Sequence, residues 1–462
     1  MQENLMSGNN TISMNLSDLK IEWQNKHVLI VGAGATGLSC AKFLQSNQID
    51  FKLVDSRPEL NGIQADFNIE LGDFSELTFT KADILIVSPG VSIQHALIQK
   101  AMQSGKEIIG DVELFSRLAT KPIIAITGSN GKSTVTTLVT ELLNSKGIVA
   151  EIGGNIGIPC LDLLDKDFKT DCYVLELSSF QLETTNNLKT IASIILNLSE
   201  DHMDRYDSRL DYFLAKKKIL SNAMNIVVNL DDSNVVDFCS EFDSNKITIS
   251  LENKTADFHI EKINNTEYIY NGESVVMDLS NIKLVGEHNK LNILAALALT
   301  SVLDSEIKET AEVVNNFTGL AHRSQEVSRH NQLQWINDSK ATNIGATIAA
   351  LNGFKHNSIH LILGGQGKGQ DFSELASSLT ENIKHIYIYG EDAEIIFNTL
   401  KECTNINITS VNTLTECIAL INSSAIADDI VLFSPACASF DQFDNYMQRG
   451  EYFVDAIKRL GA

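Results

Sequence analysis

The chain has 462 residues, 44% hydrophobic and 21% charged, the composition of a globular protein too long for one core. Single cores stop growing at roughly 250 to 300 residues, so two to four domains are expected. A formal net charge of −23 excludes a nucleic-acid surface, which needs clustered Lys and Arg, and reads as solubility. Any phosphate or carboxylate site must then be built from backbone N–H groups, single basic side chains and a metal ion.

Residues 1–25 are polar and lack the basic start, apolar stretch and cleavage site of a secretory leader. They read as an N-terminal extension, and the protein as cytoplasmic. The longest apolar runs, such as Ile191 to Leu196, are too short to cross a bilayer, so no membrane insertion is expected. The seven cysteines (Cys40, Cys160, Cys172, Cys239, Cys403, Cys417 and Cys437) show no CxxC spacing and read as free thiols.

The runs His27 to Val31, Phe51 to Val54 and Ile84 to Val87 alternate with helical patterns, the rhythm of a parallel sheet covered on both faces. Gly32, Gly34 and Gly37 form a GxGxxG between the first strand and a helix, with Asp55 after the next strand. By spacing alone this is compatible with a dinucleotide site, but a lone GxGxxG is weak evidence; the physics says only that an anion, a diphosphate above all, can approach the helix N-terminus there. This first unit spans 26–120.

The second unit, 121–322, opens with the strand Ile123 to Thr127 and the loop Thr127-Gly128-Ser129-Asn130-Gly131-Lys132-Ser133-Thr134, before a helix from Val135 to Lys146. This is the short TGxxGK[ST] phosphate loop: its N–H groups cradle phosphates, Lys132 neutralises the terminal pair and Ser133 faces Mg²⁺. Cys172 to Leu175 and Ile191 to Leu196 read as further strands. Glu176 follows a buried strand, which puts a carboxylate at the sheet edge beside the phosphate loop; a helix-capping or surface acid is the alternative. His202 sits in an acidic turn, and Lys216, Lys217 and Lys218 read on spacing alone as a solvated basic face.

Asn225 to Ser280 carries strand-like pieces without strong helices and reads as a small flanking sheet. Glu287 to Leu303 is Ala- and Leu-rich and reads as a helix. Asn289 and Asn292 share one face of it, where they can meet a nucleotide or act as a capping pair. The third unit, 323–462, returns to buried strands at His360 to Leu363, Ile386 to Tyr389 and Ile430 to Phe433. The expected architecture is α/β in three domains: a Rossmann-like N-terminal domain, a central P-loop domain with a small flanking sheet, and a Rossmann-like C-terminal domain.

From the phosphate loop onward the sequence resembles the Mur ligases, ATP-dependent enzymes that build the peptidoglycan stem peptide. Gly153-Gly-Asn-Ile-Gly157, Leu175-Glu-Leu-Ser-Ser-Phe-Gln181, Asp201-His-Met-Asp204, His288-Asn289 with Asn292, and Ala321-His-Arg323 follow the family's order. Asn337-Asp-Ser-Lys-Ala-Thr-Asn343 and Ser434-Pro-Ala-Cys-Ala-Ser-Phe-Asp-Gln-Phe443 are similar to its D-glutamate-adding member, and the DNPR-type signature of the diaminopimelate- or lysine-adding member is absent.

The resemblance implies ligation of D-glutamate to UDP-N-acetylmuramoyl-L-alanine through an acyl phosphate, with ATP and two Mg²⁺ ions, by a monomer. It implies catalytic roles for Lys132, Glu176, His202 and Lys216, and metal binding by Ser133, Glu176, His202 and a carbamylated Lys216, with Lys217 one residue away as the alternative. Carbamylation needs the neutral amine, which costs about 4 kcal/mol for an unperturbed lysine at neutral pH. ATP falls to residues 127–134 with Asn289, Asn292, Arg323, Asp338 and Lys340. Ala35, Thr36, Asp55, Arg57, Gly90, Asn155 and Ser178 fall where the family holds the UDP substrate, so the GxGxxG needs no redox cofactor. Thr342, Lys368, Ser439, Phe440 and Tyr446 fall where it holds D-glutamate; Gln366 and Phe440 depart from the common Asp and Leu there. The rivals are a nicotinamide-dependent oxidoreductase, another amide ligase of the same fold, and a non-catalytic nucleotide-binding regulator.

Overall fold

The computed structural model describes residues 15–60, 68–203, 205–284, 286–304, 310–330, 332–354 and 357–460. Residues 1–14 of the N-terminal extension and Asp204 lie outside the described residues. The end of that extension, Leu16–Trp23, is a helix capped by Asn15, and its Leu19 and Trp23 are buried.

The first sheet contains β1 (Val28–Val31), β2 (Phe51–Asp55), β3 (Ile69–Leu71), β4 (Ile84–Val87) and β5 (Glu107–Ile109) in the order β3-β2-β1-β4-β5. All its pairings are parallel. Successive residues of β1 point to opposite faces: Val28 and Ile30 enter one apolar cluster, Leu29 and Val31 the other. The strand order reverses at β1 and β4, the switch point at which α/β sheets bind ligands.

The second sheet has nine strands: β6 (Ile123–Thr127), β7 (Ala150–Gly154), β8 (Cys172–Glu176), β9 (Thr190–Ile195), β10 (Ala223–Asn229), β11 (Asn245–Ser250), β12 (Phe258–Ile263), β13 (Thr266–Asn271) and β14 (Ser274–Asp278). The segment from Asn225 to Ser280 is thus continuous with the central sheet. A parallel junction of two residue pairs, Ile249 with Phe258 and Ser250 with His259, attaches the antiparallel β12-β13-β14 meander. It also contains a helix, Ser233–Ser240, capped by Asp232. The Ala-rich helix runs Glu287–Thr300 and packs on the helix Lys132–Ser145.

The third sheet contains β15 (Gln325–His330), β16 (Leu333–Asn337), β17 (Ile359–Gly364), β18 (Ile383–Tyr389), β19 (Asn407–Ser410) and β20 (Ile430–Phe433), ordered β15-β16-β20-β17-β18-β19. Only β15 runs antiparallel to its neighbour.

The units are joined unequally. One apolar cluster passes from the first sheet through Cys40, Val112 and Phe115 to Cys160, Tyr173 and Leu175 of the second, fusing those units. The buried residues of both clusters in the third unit all come from Leu333 onward, so it keeps its own core. The helix Ile344–Gly353 packs against Glu287–Thr300 of the middle unit, and polar links add to this contact: Arg323 to Ser133, and Lys368 and Asn343 to Asp201. Among the described residues no helix is long and apolar enough to cross a membrane.

Candidate active site

The phosphate loop joins the end of β6 to the helix Lys132–Ser145. Gly131 adopts φ +81°, and a Cβ there would lie 2.4 Å from the Asn292 side-chain oxygen, so only glycine fits. Asn292 donates to Asn289 Oδ1 at 3.0 Å, which sets this helix pair against the loop rather than at the helix start as a cap. Ser129 is tied to the Ser199 carbonyl at 2.8 Å, and Asn130 N–H donates to Asn197 Oδ1 at 2.8 Å. Thr127 donates to the Leu177 carbonyl at 2.7 Å.

Both lysines reach this loop. Lys132 Nζ donates to the carbonyls of Gly128 and Ser129 at 2.8 and 3.0 Å. Lys216, 2% exposed, donates to the Gly128 carbonyl at 2.9 Å and lies over the Tyr212 ring. Burial, reinforced by the Lys132 charge, holds the Lys216 amine well below the usual lysine range against the pull of Asp201 and Glu176. Lys217 instead ion-pairs with Glu241.

Glu176 ends β8; its Oε1 accepts from Asn155 Nδ2 at 2.7 Å, and its buried Oε2 has no hydrogen-bond partner. His202 has φ +59°, and burial pulls its imidazole down to about 4, with Asp201 opposing and Lys368, Lys132 and Lys216 assisting. It is therefore a neutral nitrogen donor at neutral pH. Among the described residues no three His, Cys, Asp or Glu side chains form a metal-binding group. The donors expected for Mg²⁺ are chemically fit nonetheless: an unpartnered carboxylate oxygen, a neutral imidazole, the Ser133 hydroxyl and an amine held neutral enough to become a carbamate.

A cleft between the middle and C-terminal units is lined by Asn130, Gly131, Thr134, His288, Asn289, Asn292, Arg323, Asp338 and Lys340. Arg323 Nη2 donates to Ser133 Oγ at 2.5 Å, which turns this side chain into the cleft. Asp338 accepts from Ser434 and from the Ser324 N–H, and burial pushes its carboxyl up to about 6. Burial, with Arg323 and Lys132 nearby, pulls the Lys340 amine down to about 7.

A second recess, with a volume of about 610 Å³, lies between the first and middle units. Ala35, Thr36, Asp55, Arg57, Gly90 and Asn155 line it. Gly37 lies where the helix crosses its own strand, with room for no Cβ beside the Gly32 carbonyl at 1.8 Å. Arg57 grips Asp55 through two bonds of 2.8 Å, which, with the Ala33 N–H, hold the Asp55 carboxyl down at about 2. Ser178 is not on the wall; it caps the helix Ser179–Glu183 and orients Gln181, which is.

The residues expected around D-glutamate are only partly gathered. Lys368, at φ +54°, reaches from the loop after β17 to Asp201 Oδ1 at 3.1 Å, and Ser439 is buried in the loop after β20. Thr342 follows β16, next to Asn343, which also holds Asp201. Tyr446 presents its ring 4.1 Å from Lys340 Nζ. Phe440 is not brought in: its side chain is 69% exposed. The loop turns Ser439 inward, so its neighbour faces solvent.

Sequence reasoning missed Asp201 as a site residue, although it lies in a quoted motif and draws Lys368, Asn343 and His202 together. It also missed His288 and Gln181 as lining residues; each stands in a quoted motif, the only signal the sequence offered.

Comparison with known proteins covers nearly the whole chain. Three family models match: Mur ligase MurD-like, N-terminal domain over residues 26–110, Mur ligase middle domain over 126–300, and Mur ligase, glutamate ligase domain over 322–437. The UDP-N-acetylmuramoylalanine–D-glutamate ligase of Haemophilus influenzae is 42% identical over 95% of this chain and 99% of its own length. The ligase of the same name from Pasteurella multocida is 41% identical over 95% and 100%. In fold the chain is similar to a pseudomurein peptide ligase type C from Methanothermus fervidus (TM-score 0.62, 19% identity, 94% of this chain and 100% of that one). It is likewise similar to a MurF ligase from Thermotoga maritima in complex with ADP (TM-score 0.60, 15% identity, 94% and 95%). With all three of its units matched in order and close relatives spanning nearly its full length, the chain belongs to the Mur ligase family and is a ligase.

Proposed function

We propose that the chain uses ATP to join D-glutamate to UDP-N-acetylmuramoyl-L-alanine in peptidoglycan precursor synthesis, acting in the cytoplasm as a monomer. The observation that carries this reading is the convergence of the phosphate loop, Glu176 and Lys216 between a nucleotide cleft and a second, roomier recess, in a chain 42% identical to D-glutamate ligases.

In this reading Asn289, Asn292, Arg323, Asp338 and Lys340 hold ATP in the cleft, and the N–H groups of residues 127–134 wrap its phosphates. Lys132 leaves the carbonyls of Gly128 and Ser129 to neutralise the γ-phosphoryl group. Ser133, Glu176, His202 and a carbamylated Lys216 would hold two Mg²⁺ ions, whose chemistry is to offset charge on the phosphoryl oxygens. The UDP substrate sits on Ala35, Thr36, Asp55, Arg57, Gly90 and Asn155, with Ser178 acting through Gln181.

An oxygen of the alanyl carboxylate attacks the γ-phosphorus, the bond to ADP breaks, and an acyl phosphate forms. Thr342, Lys368, Ser439 and Tyr446 then orient D-glutamate so that its amine nitrogen attacks the acyl carbon. The C–N bond forms, inorganic phosphate leaves with the C–O electron pair, and the amine proton passes to solvent. Water would destroy the acyl phosphate, so the C-terminal unit must cover the site during the reaction.

Acceptor choice tests the reading. D-Glutamate should support turnover, while L-glutamate, L-alanine and diaminopimelate should not; equal use of any of these in its place overturns the assignment.

A further inference from the structure

Arg205 follows the Asp201-His-Met-Asp204 turn and has no part in the chemistry above, yet its guanidinium bridges the two fused units. Its Nη1 donates to the Pro89 carbonyl at 2.7 Å and its Nη2 to the Val91 carbonyl at 3.3 Å. The same Nη2 bonds Glu183 Oε2 at 2.6 Å, and the guanidinium lies 4.0 Å above the Phe180 ring. The Phe180 ring in turn packs 4.7 Å from His202.

Pro89, Gly90 and Val91 form one wall of the recess assigned to the nucleotide sugar. On its inner side this loop is tied to the glycine-rich turn by Ser88, whose hydroxyl donates to the Gly32 carbonyl at 2.9 Å. On its outer side the two carbonyls turn toward Arg205. A guanidinium alone has the planar fork of donors to meet two carbonyls and a carboxylate while stacking on a ring.

We propose that Arg205 is a positioning residue that clamps the Ser88–Val91 wall against the turn carrying His202, setting the width of the recess for the nucleotide-sugar substrate and its register with the catalytic turn. It touches neither substrate nor phosphate. The proposal rests on the reading that this recess takes the UDP-linked substrate.

The test is calorimetric titration of the UDP-linked substrate and, separately, of a non-hydrolysable ATP analogue into the wild-type protein and into Arg205→Ala and Arg205→Lys, with steady-state KM for all three substrates. Both variants should weaken the UDP-linked substrate about ten-fold or more, in Kd and in KM, with ATP-analogue affinity within two-fold of wild type. Arg205→Lys should fail to rescue, because one ammonium cannot span both carbonyls and Glu183. If Arg205→Ala does not fold, Arg205→Lys carries the test alone. Unchanged UDP-substrate affinity, or equal losses for both ligands, overturns the clamp while leaving the functional reading intact. Failure of the wild-type protein to bind the UDP-linked substrate overturns that reading instead.

Discussion

Lys216 shows how far a single position can depart from what its neighbours suggest. Three consecutive lysines read as a solvated face, but the helix Arg209–Lys217 turns the first of them into the core, where burial favours the uncharged amine. An uncharged amine can add to CO₂. Lys216→Ala should lower kcat on the order of 10²–10³-fold, as loss of a charge-stabilising group does, and millimolar formate or acetate should restore part of it. Activity unaffected by the substitution, or loss without any rescue, would remove the carbamate from the account. Asp55 makes a second prediction at this scale. Its folded value, about 2, lies below the ordinary 3.8, so its pairing with Arg57 stabilises the protein fully above pH 4 and is lost as pH falls toward 2. Arg57 is half exposed, so the pair is worth at most about 1 kcal/mol. Arg57→Ala should therefore lower Tm slightly at pH 7, and the gap from wild type should close on acidification toward pH 2; a gap that widens contradicts this.

Among the elements, the helix Asp111–Leu118 carries an unusual cost. Its first residue is buried beside Cys40 and Cys160, and its carboxylate finds no side-chain partner, only the backbone N–H groups of its own helix start. Burial pushes this carboxyl up to about 6, so ionisation opposes folding above that pH and the penalty fades as pH falls toward 4. Asp111→Asn should raise stability at pH 7.5 by on the order of 1–3 kcal/mol, and the gain should vanish at pH 4. Denaturant melts at the two pH values check this, and a gain that persists at pH 4 would refute it. The strands at Ile84 to Val87 and Ile123 to Thr127 were legible because each is an unbroken buried run. Ile69–Leu71, Glu107–Ile109 and Asn407–Ser410 were not, because edge strands of three or four mostly part-exposed residues carry no such run. Asn225 to Ser280 reads as a small flanking sheet because only two residue pairs join its β12-β13-β14 meander to β11, a link with no local sequence signature.

For the molecule as a whole, loops at the carboxyl ends of the central sheet face those of the first sheet across one recess and those of the third across a cleft, and those loops carry the motifs, so most of the candidate site is readable before its geometry. What sequence could not show is which contacts cross between units, since pairings such as Asp201 with Lys368 or Arg205 with Pro89 span more than 100 residues. Among the described residues the third unit shares no apolar cluster with the others; besides the packing of Ile344–Gly353 on Glu287–Thr300, polar contacts hold it to Asp201 and Ser133. Asp201→Ala should release it, seen as a larger radius of gyration in solution scattering without ligands; an unchanged radius would mean that other contacts set the closed arrangement. The most direct test of the central claim is ADP release in a coupled assay with each substrate omitted in turn. The account predicts ADP only when ATP, UDP-N-acetylmuramoyl-L-alanine and D-glutamate are all present, with none from Lys132→Ala. Sustained ADP release without the UDP-linked acid, or full turnover by Lys132→Ala, would contradict it.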